Sequence, residues 1–227
     1  MRVLIMSRSK TDKINELKNL PNTLQPTKPQ IINWFNVFQN NHPLILELAC
    51  GQGDYTLALA KINHDKNFIG IDIKGARLWH GAQVAQQDGI SNATFLRIDI
   101  NILDKYFFQN TVTEIWITFP DPFPKKKQIK HRLTSPHFLN IYQKILKPDG
   151  IIHLKTDDIS LFNYSVEAAM QKNWHIQEII NNIYNFTPQI TKNKNFSKHI
   201  IDIQTAYEKK HLQSGRQIHY CKLQNNK

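Results

Sequence analysis

Apolar positions along this chain follow two rhythms that alternate. Short dense runs of Leu, Ile, Phe and Val fall at Leu44–Leu48, Asn67–Ile73, Asn92–Ile100, Glu114–Phe119 and Ile151–Asp157. Runs of that length, bounded by turn residues, read as buried strands. Between them apolar residues return at the three- and four-residue spacing of a helix. This spacing covers Thr56–Ala60, Ala76–Gln87, the segment after Pro136 and Ile159–Met170. Thr134 or Ser135 can cap the third of these, with Pro136 in its first turn. Ile31, Ile32, Trp34, Phe35 and Phe38 also keep helical spacing, so Pro29–Phe38 reads as a helix on the sheet with Trp34 in the core. Lys147–Gly150 reads as a turn. Trp174–Ile180 and Gln217–Leu223 read as two further strands. Strand alternating with helix predicts an α/β fold with a mostly parallel sheet covered on both faces.

There is no internal repeat and no low-complexity linker, so residues 29–227 read as one domain. Residues 1–28 mix Lys, Asn, Thr and Pro without a period. They are expected to form a mobile or loosely docked basic arm, either with a share in RNA docking or with no role. The polar, basic stretch 181–202, with Lys192, Lys194, Lys198 and His199, reads as a loop over the ligand face.

Composition adds a partner. Lys plus Arg number 29 against 18 for Asp plus Glu in 227 residues, a net charge of +11. That excess points to an anionic partner, and RNA, DNA and an anionic membrane all fit it. The membrane fits less well, because no apolar run is long enough to span one and no helix is strongly basic and amphipathic. The apolar patch at Val3–Met6 is too short for a signal peptide, which leaves the cytoplasm as the expected location. Cys50 and Cys221 are far apart and lack metal-ligand spacing, so no disulfide framework and no metal site is expected. No obligate protein partner is called for, and monomer and homodimer both stay open.

Chemistry is concentrated at strand ends. Leu44–Leu48 runs into Ala49-Cys50-Gly51-Gln52-Gly53-Asp54 and then a helix. Gly51 and Gly53 let the backbone approach a ligand and expose the amides of the helix start. A dinucleotide fingerprint would want a third glycine where Thr56 stands. Glu47 lies just before the turn, either facing a ligand or satisfied by backbone amides. Asp72 ends the next strand about twenty-five residues on, where an acid can accept both hydroxyls of a ribose. Asp99 ends the third, where a carboxylate can accept from an adenine amine. Acids ending three successive strands are less easily dismissed than a single cap residue.

The fourth strand leads into Phe119-Pro120-Asp121-Pro122-Phe123-Pro124-Lys125-Lys126-Lys127, with Lys130, His131 and Arg132 close behind. Each proline fixes φ and lacks a donor, so neither helix nor paired strand continues. The product is a stiff loop at the carboxyl end of a strand, where open α/β sheets bind ligands. A rigid carboxylate beside a cluster of cations suits a site that accepts a polyanion. Taken alone, the lysine run reads more readily as a solvated face.

The loop resembles the signature of the bacterial tRNA (guanine-N7-)-methyltransferases, Phe-x-Asp-Pro-Trp-Pro-Lys followed by a basic run. Phe123 stands for the tryptophan and keeps an aromatic plane without the indole donor. The glycine turn is similar to motif I of S-adenosylmethionine-dependent methyltransferases, Glu-x-Gly-x-Gly-x-Gly, with Ala49 at the first glycine. Thr205-Ala206-Tyr207-Glu208 resembles the family's carboxy-terminal element. The resemblance spans roughly residues 30–223. It implies a Rossmann-like class I methyltransferase fold with a seven-stranded, mostly parallel sheet. It also implies transfer of a methyl group from S-adenosyl-L-methionine to N7 of a guanine in tRNA, at position 46 of the variable loop. It places Glu47, Gly51, Gly53, Asp72, Asp99 and Asp121 at the cofactor, with Asp121 catalytic, and Lys125, Asp157, Thr205 and Glu208 at the substrate. Two alternatives stay open: a different nucleic-acid base methylase with an Asp-Pro-Pro-Tyr type loop, and a non-catalytic RNA-binding protein on the same scaffold.

Overall fold

The computed structural model describes residues 8–185 and 199–227. Eight strands are present: β1 Thr23–Leu24, β2 Leu44–Leu48, β3 Asn67–Asp72, β4 Ala93–Arg97, β5 Val112–Thr118, β6 Leu146–Thr156, β7 His175–Ile180 and β8 His219–Gln224. They make one sheet in the order β1-β4-β3-β2-β5-β6-β8-β7. The pairs from β1 to β6 are parallel, and β8 runs antiparallel to both β6 and β7. The seven strands read from the sequence are all there. The eighth is β1, two residues pairing with Phe95 and Leu96 of β4, too short to show a rhythm of its own.

The helices are α1 Lys10–Leu17, α2 Trp34–Phe38, α3 Asp54–Ile62, α4 Gly75–Gln87, α5 Pro136–Ile145, α6 Ile159–Gln171, α7 His199–Asp202 and α8 Ala206–Gln213. Every residue of β2 and β3 is buried, as expected of parallel strands covered on both faces. One core lies on the α5 and α6 side, around Phe138, Tyr142, Phe162, Ile115 and Leu154. The other lies under α3 and α4, around Tyr55, Leu59, Leu78, Ala82 and Phe95.

Three boundaries differ from the sequence reading. The helix foreseen from Pro29 begins only at Trp34, because Asn33 caps it by accepting from the Phe35 amide at 3.1 Å. The stretch before it is irregular, held by the Ile32 amide donating to Tyr106 O at 3.1 Å. Trp34 is core, stacked on Phe107 with ring centroids 5.0 Å apart. The Lys147–Gly150 turn exists, but it loops out within β6, whose pairing with β5 jumps from Leu146 to Ile151. In the amino-terminal arm, α1 packs on α4 and buries Leu17 completely. Trp79 of α4 donates to Glu16 at 2.9 Å, with Arg8 and Lys13 each 5.3 Å from its ring centre. Residues 186–198, with Lys192, Lys194 and Lys198 of the expected basic loop, lie outside the described residues.

Candidate active site

The sheet reverses its winding at β2: the chain moves to β3 and β4 on one side, and β5 and β6 lie on the other. In such sheets the crevice beyond the strand ends at the reversal takes the ligand. A cavity of about 560 Å³ opens there, within the range of small-molecule sites. Asp72, Asp99 and Asp121 all line it, together with Ala49, Phe119 and Phe123.

The turn after β2 forms one wall. Gly51 and Gly53 sit at φ +59° and +75°, a region open to glycine. Ala49 also sits at φ +54°, at the position where the resembling motif has glycine; an L-residue there costs about 1–2 kcal/mol. A side chain on Gly53 would meet the Phe95 ring at 2.5 Å, whereas Gly51 has open space where its Cβ would stand. The turn also requires Gly81, which the sequence reading passed over. A Cβ there would come within 2.4 Å of Gln52 O and 2.7 Å of Phe95. A glycine inside an otherwise regular helix was the available signal.

Asp72 is 5% exposed and held by two amides: Gly51 donates to one oxygen at 3.0 Å and Lys74 to the other at 2.8 Å. Each oxygen keeps a lone pair for a ligand. Asp99 is exposed; one oxygen accepts from the backbone and side chain of Asn101 at 2.9 and 2.8 Å. Asp121 is exposed at the cavity mouth.

Glu47 does not line this cavity. It is 4% exposed and accepts from the Thr56 amide at 2.8 Å, from the Thr56 hydroxyl, and from the Thr118 hydroxyl at 3.1 Å. It therefore ties β2 to the first turn of α3 and to the end of β5. Burial, opposed by these bonds, raises its pKa to about 7.

The proline loop closes the far wall. Phe119 and Phe123 sit at φ +49° and +43°, which for bulky residues costs of order 1–3 kcal/mol each and is typical of functional sites. Lys125, Lys126, Lys127, Lys130 and His131 are exposed just beyond. Arg132, grouped with them on sequence, is a correction: it is 3% exposed and points into the protein. Nothing in composition separates a buried arginine from the exposed cations beside it.

The carboxy-terminal element lies against this loop. Tyr207 packs on Phe119 with ring centroids 5.3 Å apart. Thr205 caps α8 by accepting from the Glu208 amide at 3.1 Å. Glu208 is fully buried, paired with Lys155 at 2.8 Å and accepting from the Tyr184 hydroxyl at 2.7 Å. Its second oxygen has no partner among the described residues. Asp157 follows the end of β6 and pairs with Arg216 at 2.6 Å, with His211 Nδ1 3.1 Å away. The sequence reading missed Lys155, whose neighbours at Ile200, Ile203 and Glu208 are brought in only by the fold.

This fold, with an acid-lined crevice behind a glycine turn, defines a Rossmann-like methyltransferase. Residues 41–221 match the family model described as "Putative methyltransferase". The tRNA (guanine-N(7)-)-methyltransferase of Christiangramia forsetii is 41% identical over 226 residues, covering 96% of this chain and 98% of the relative. That of Porphyromonas gingivalis is 45% identical over 183 residues, covering 81% of this chain and 71% of the relative. The chain belongs to the tRNA (guanine-N(7)-)-methyltransferase family. Among solved structures, the 16S rRNA methyltransferase KamB superposes with a TM-score of 0.62 at 11% identity, covering 86% and 94% of the two chains. A SAM-dependent methyltransferase from Aquifex aeolicus does so at 0.55 and 13%, covering 93% and 97%. These two likenesses speak for the fold alone.

Proposed function

We propose that this chain methylates N7 of a guanine in tRNA with S-adenosyl-L-methionine as donor, at position 46 of the variable loop. The observation that carries the reading is one cavity lined by the carboxylates of Asp72, Asp99 and Asp121, with the exposed lysine run following directly on the loop that forms one of its walls. Family membership supports the same chemistry. Neither alternative raised by the sequence, a different base methylase or a non-catalytic scaffold, is supported by the relatives.

The residues present fit such a donor. Asp72 would accept from the ribose hydroxyls and Asp99 from the adenine amine, and the open face at Gly51 leaves room for the amino-acid end. Glu47 would act from behind, holding the turn and the start of α3. When bound, the donor supplies a methyl group on a sulfonium, which leaves as the thioether when the N7–carbon bond forms. N7 carries an exposed lone pair, so no proton has to be removed first. The protein's task is alignment and electrostatics. Asp121 would accept from the guanine N1 and N2 hydrogens, hold the ring in line, and stabilise the positive charge that the ring gains.

Lys125 and its neighbours would hold phosphate. Thr205, Glu208 and Asp157 would border the base or its ribose. Position 46 is enclosed in folded tRNA, so local opening precedes reaction. Residues 29–227 act as one catalytic domain in the cytoplasm, with residues 1–28 as an arm. No helix among the described residues is long and apolar enough to cross a membrane.

The test incubates labelled donor with unmodified tRNA and maps aniline-sensitive cleavage. Cleavage at position 46, absent with Asp121→Ala, is the expected result. Label at another atom, or an unchanged rate with Asp121→Ala, would overturn the reading.

A further inference from the structure

Arg132 ends the basic stretch that begins at Lys125, yet it does not share the others' exposure. Lys125, Lys126, Lys127, Lys130 and His131 are exposed, whereas Arg132 is 3% exposed. Its Nε donates to Pro122 O at 2.9 Å. Its guanidinium lies over the Tyr164 ring of α6, 4.6 Å from the centre. No carboxylate among the described residues pairs with it. Burying a charge without an opposite partner is unfavourable, and an apolar side chain would fill the space more cheaply. What the arginine adds is one hydrogen bond to the loop that carries Asp121.

That loop has little else to hold it. Pro120, Pro122 and Pro124 have no N–H to donate. Among the described residues, two hydrogen bonds fix residues 119–124 to the rest of the protein. One is Phe119 N to Lys155 O at 2.7 Å, at the loop's start; the other is Arg132 to Pro122, in its middle. Phe119 and Phe123, on either side of Asp121, both have positive φ. A backbone with this conformation persists only where its surroundings fix it.

We propose that Arg132 is a positioning residue. It acts through Pro122, sets the direction of Asp121 and Phe123 into the cavity, and does not touch RNA. The proposal rests on the reading of Asp121 given above. Pro122 O is the loop's anchor beyond Phe119, so freeing it lets the segment that carries Asp121 shift at the cavity.

The test compares Arg132→Met, which keeps the volume and removes the donors, with Lys125→Ala and Asp121→Ala. Each is measured for kcat, for tRNA affinity across salt concentrations, and for binding of S-adenosyl-L-methionine. Arg132→Met is expected to lower kcat by about tenfold to a hundredfold, the cost of a small misplacement. Its tRNA affinity should stay within about twofold, with an unchanged salt slope, since no phosphate contact is lost. Lys125→Ala should instead weaken tRNA binding and reduce the salt slope. Arg132→Lys should recover part of the rate, because an ammonium can reach the carbonyl without the fixed plane over Tyr164.

A reduced salt slope for Arg132→Met would make Arg132 a phosphate contact and overturn the proposal. An unchanged kcat would also overturn it, and if Asp121→Ala is inactive in the same assay the wider reading survives. Should Arg132→Met not fold, Tyr164→Leu removes the platform and leaves the charge. It should lower kcat with the same unchanged slope, while Tyr164→Phe keeps the parent rate. Equal rates for both Tyr164 variants and the parent would count against the clamp.

Discussion

Lys155 and Glu208 form an ion pair at 2.8 Å with neither side chain exposed to solvent. Lys155 Nζ also donates to Ile200 O at 2.6 Å and Ile203 O at 3.1 Å, so its three hydrogens are all used. One ammonium thus fastens both α7 and α8 to the sheet. Removing one member of a buried pair strands the other, at a cost of about 3–5 kcal/mol. Glu208→Ala is therefore expected to lower stability by about that much, measured by urea unfolding, besides any loss of activity. Lys155→Met together with Glu208→Leu should be more stable than Glu208→Ala alone. Equal stability of Glu208→Ala and parent would refute the pairing.

Gly81 sets two effects against each other. Alanine is favoured over glycine inside a helix by about 1 kcal/mol. A Cβ at this position would lie 2.4 Å from Gln52 O, a backbone atom of the glycine turn. Overpacking of this kind costs typically about 1–3 kcal/mol, so the clash wins. Gly81→Ala should melt at a lower temperature and bind S-adenosyl-L-methionine more weakly, with tRNA affinity little changed. Calorimetric titration of each ligand would separate the two.

Glu47 makes stability depend on pH. Burial raises its pKa from 4.5 to about 7 in the folded chain. The folded state therefore holds this proton more tightly than the unfolded state. The contribution is fully present below about pH 4.5 and fades as pH rises to about 7, at about 1.4 kcal/mol per pH unit. Glu47→Gln does not titrate. The parent's stability relative to Glu47→Gln should fall across that window and level off above it. Denaturant unfolding at a series of pH values checks this, and a constant difference would contradict the assigned shift.

The lysine run gives an electrostatic prediction. Replacing Lys125, Lys126 and Lys127 by alanine should weaken tRNA binding for all tRNAs alike. Each lost phosphate contact should reduce the slope of log affinity against log salt by about 0.7–0.9. Filter binding at several salt concentrations reads both numbers. An unchanged slope would assign the run to open solvent.

What sequence revealed about this molecule follows from range. The glycine turn, the strand-end acids and the proline loop are local, each decided within a dozen residues, and they lie where the rhythm of the chain predicts. Arg132 looked like its neighbours because burial depends on α6, whose Tyr164 lies 4.6 Å away in space and far along the chain. Asp157 and Glu208 ended up paired with Arg216 and Lys155 for the same reason. Glu47 was ambiguous because an acid at a strand end can face forward to a ligand or sideways to a helix start. Here Thr56 and Thr118, on two other elements, turn it sideways.

The placement of β8 bears on how the protein is made. The carboxy-terminal strand lies inside the sheet, between β6 and β7, so β7 has no neighbour until residues 219–224 emerge from the ribosome. A chain truncated before β8 would leave β7 unpaired, since β8 is its neighbour in the sheet.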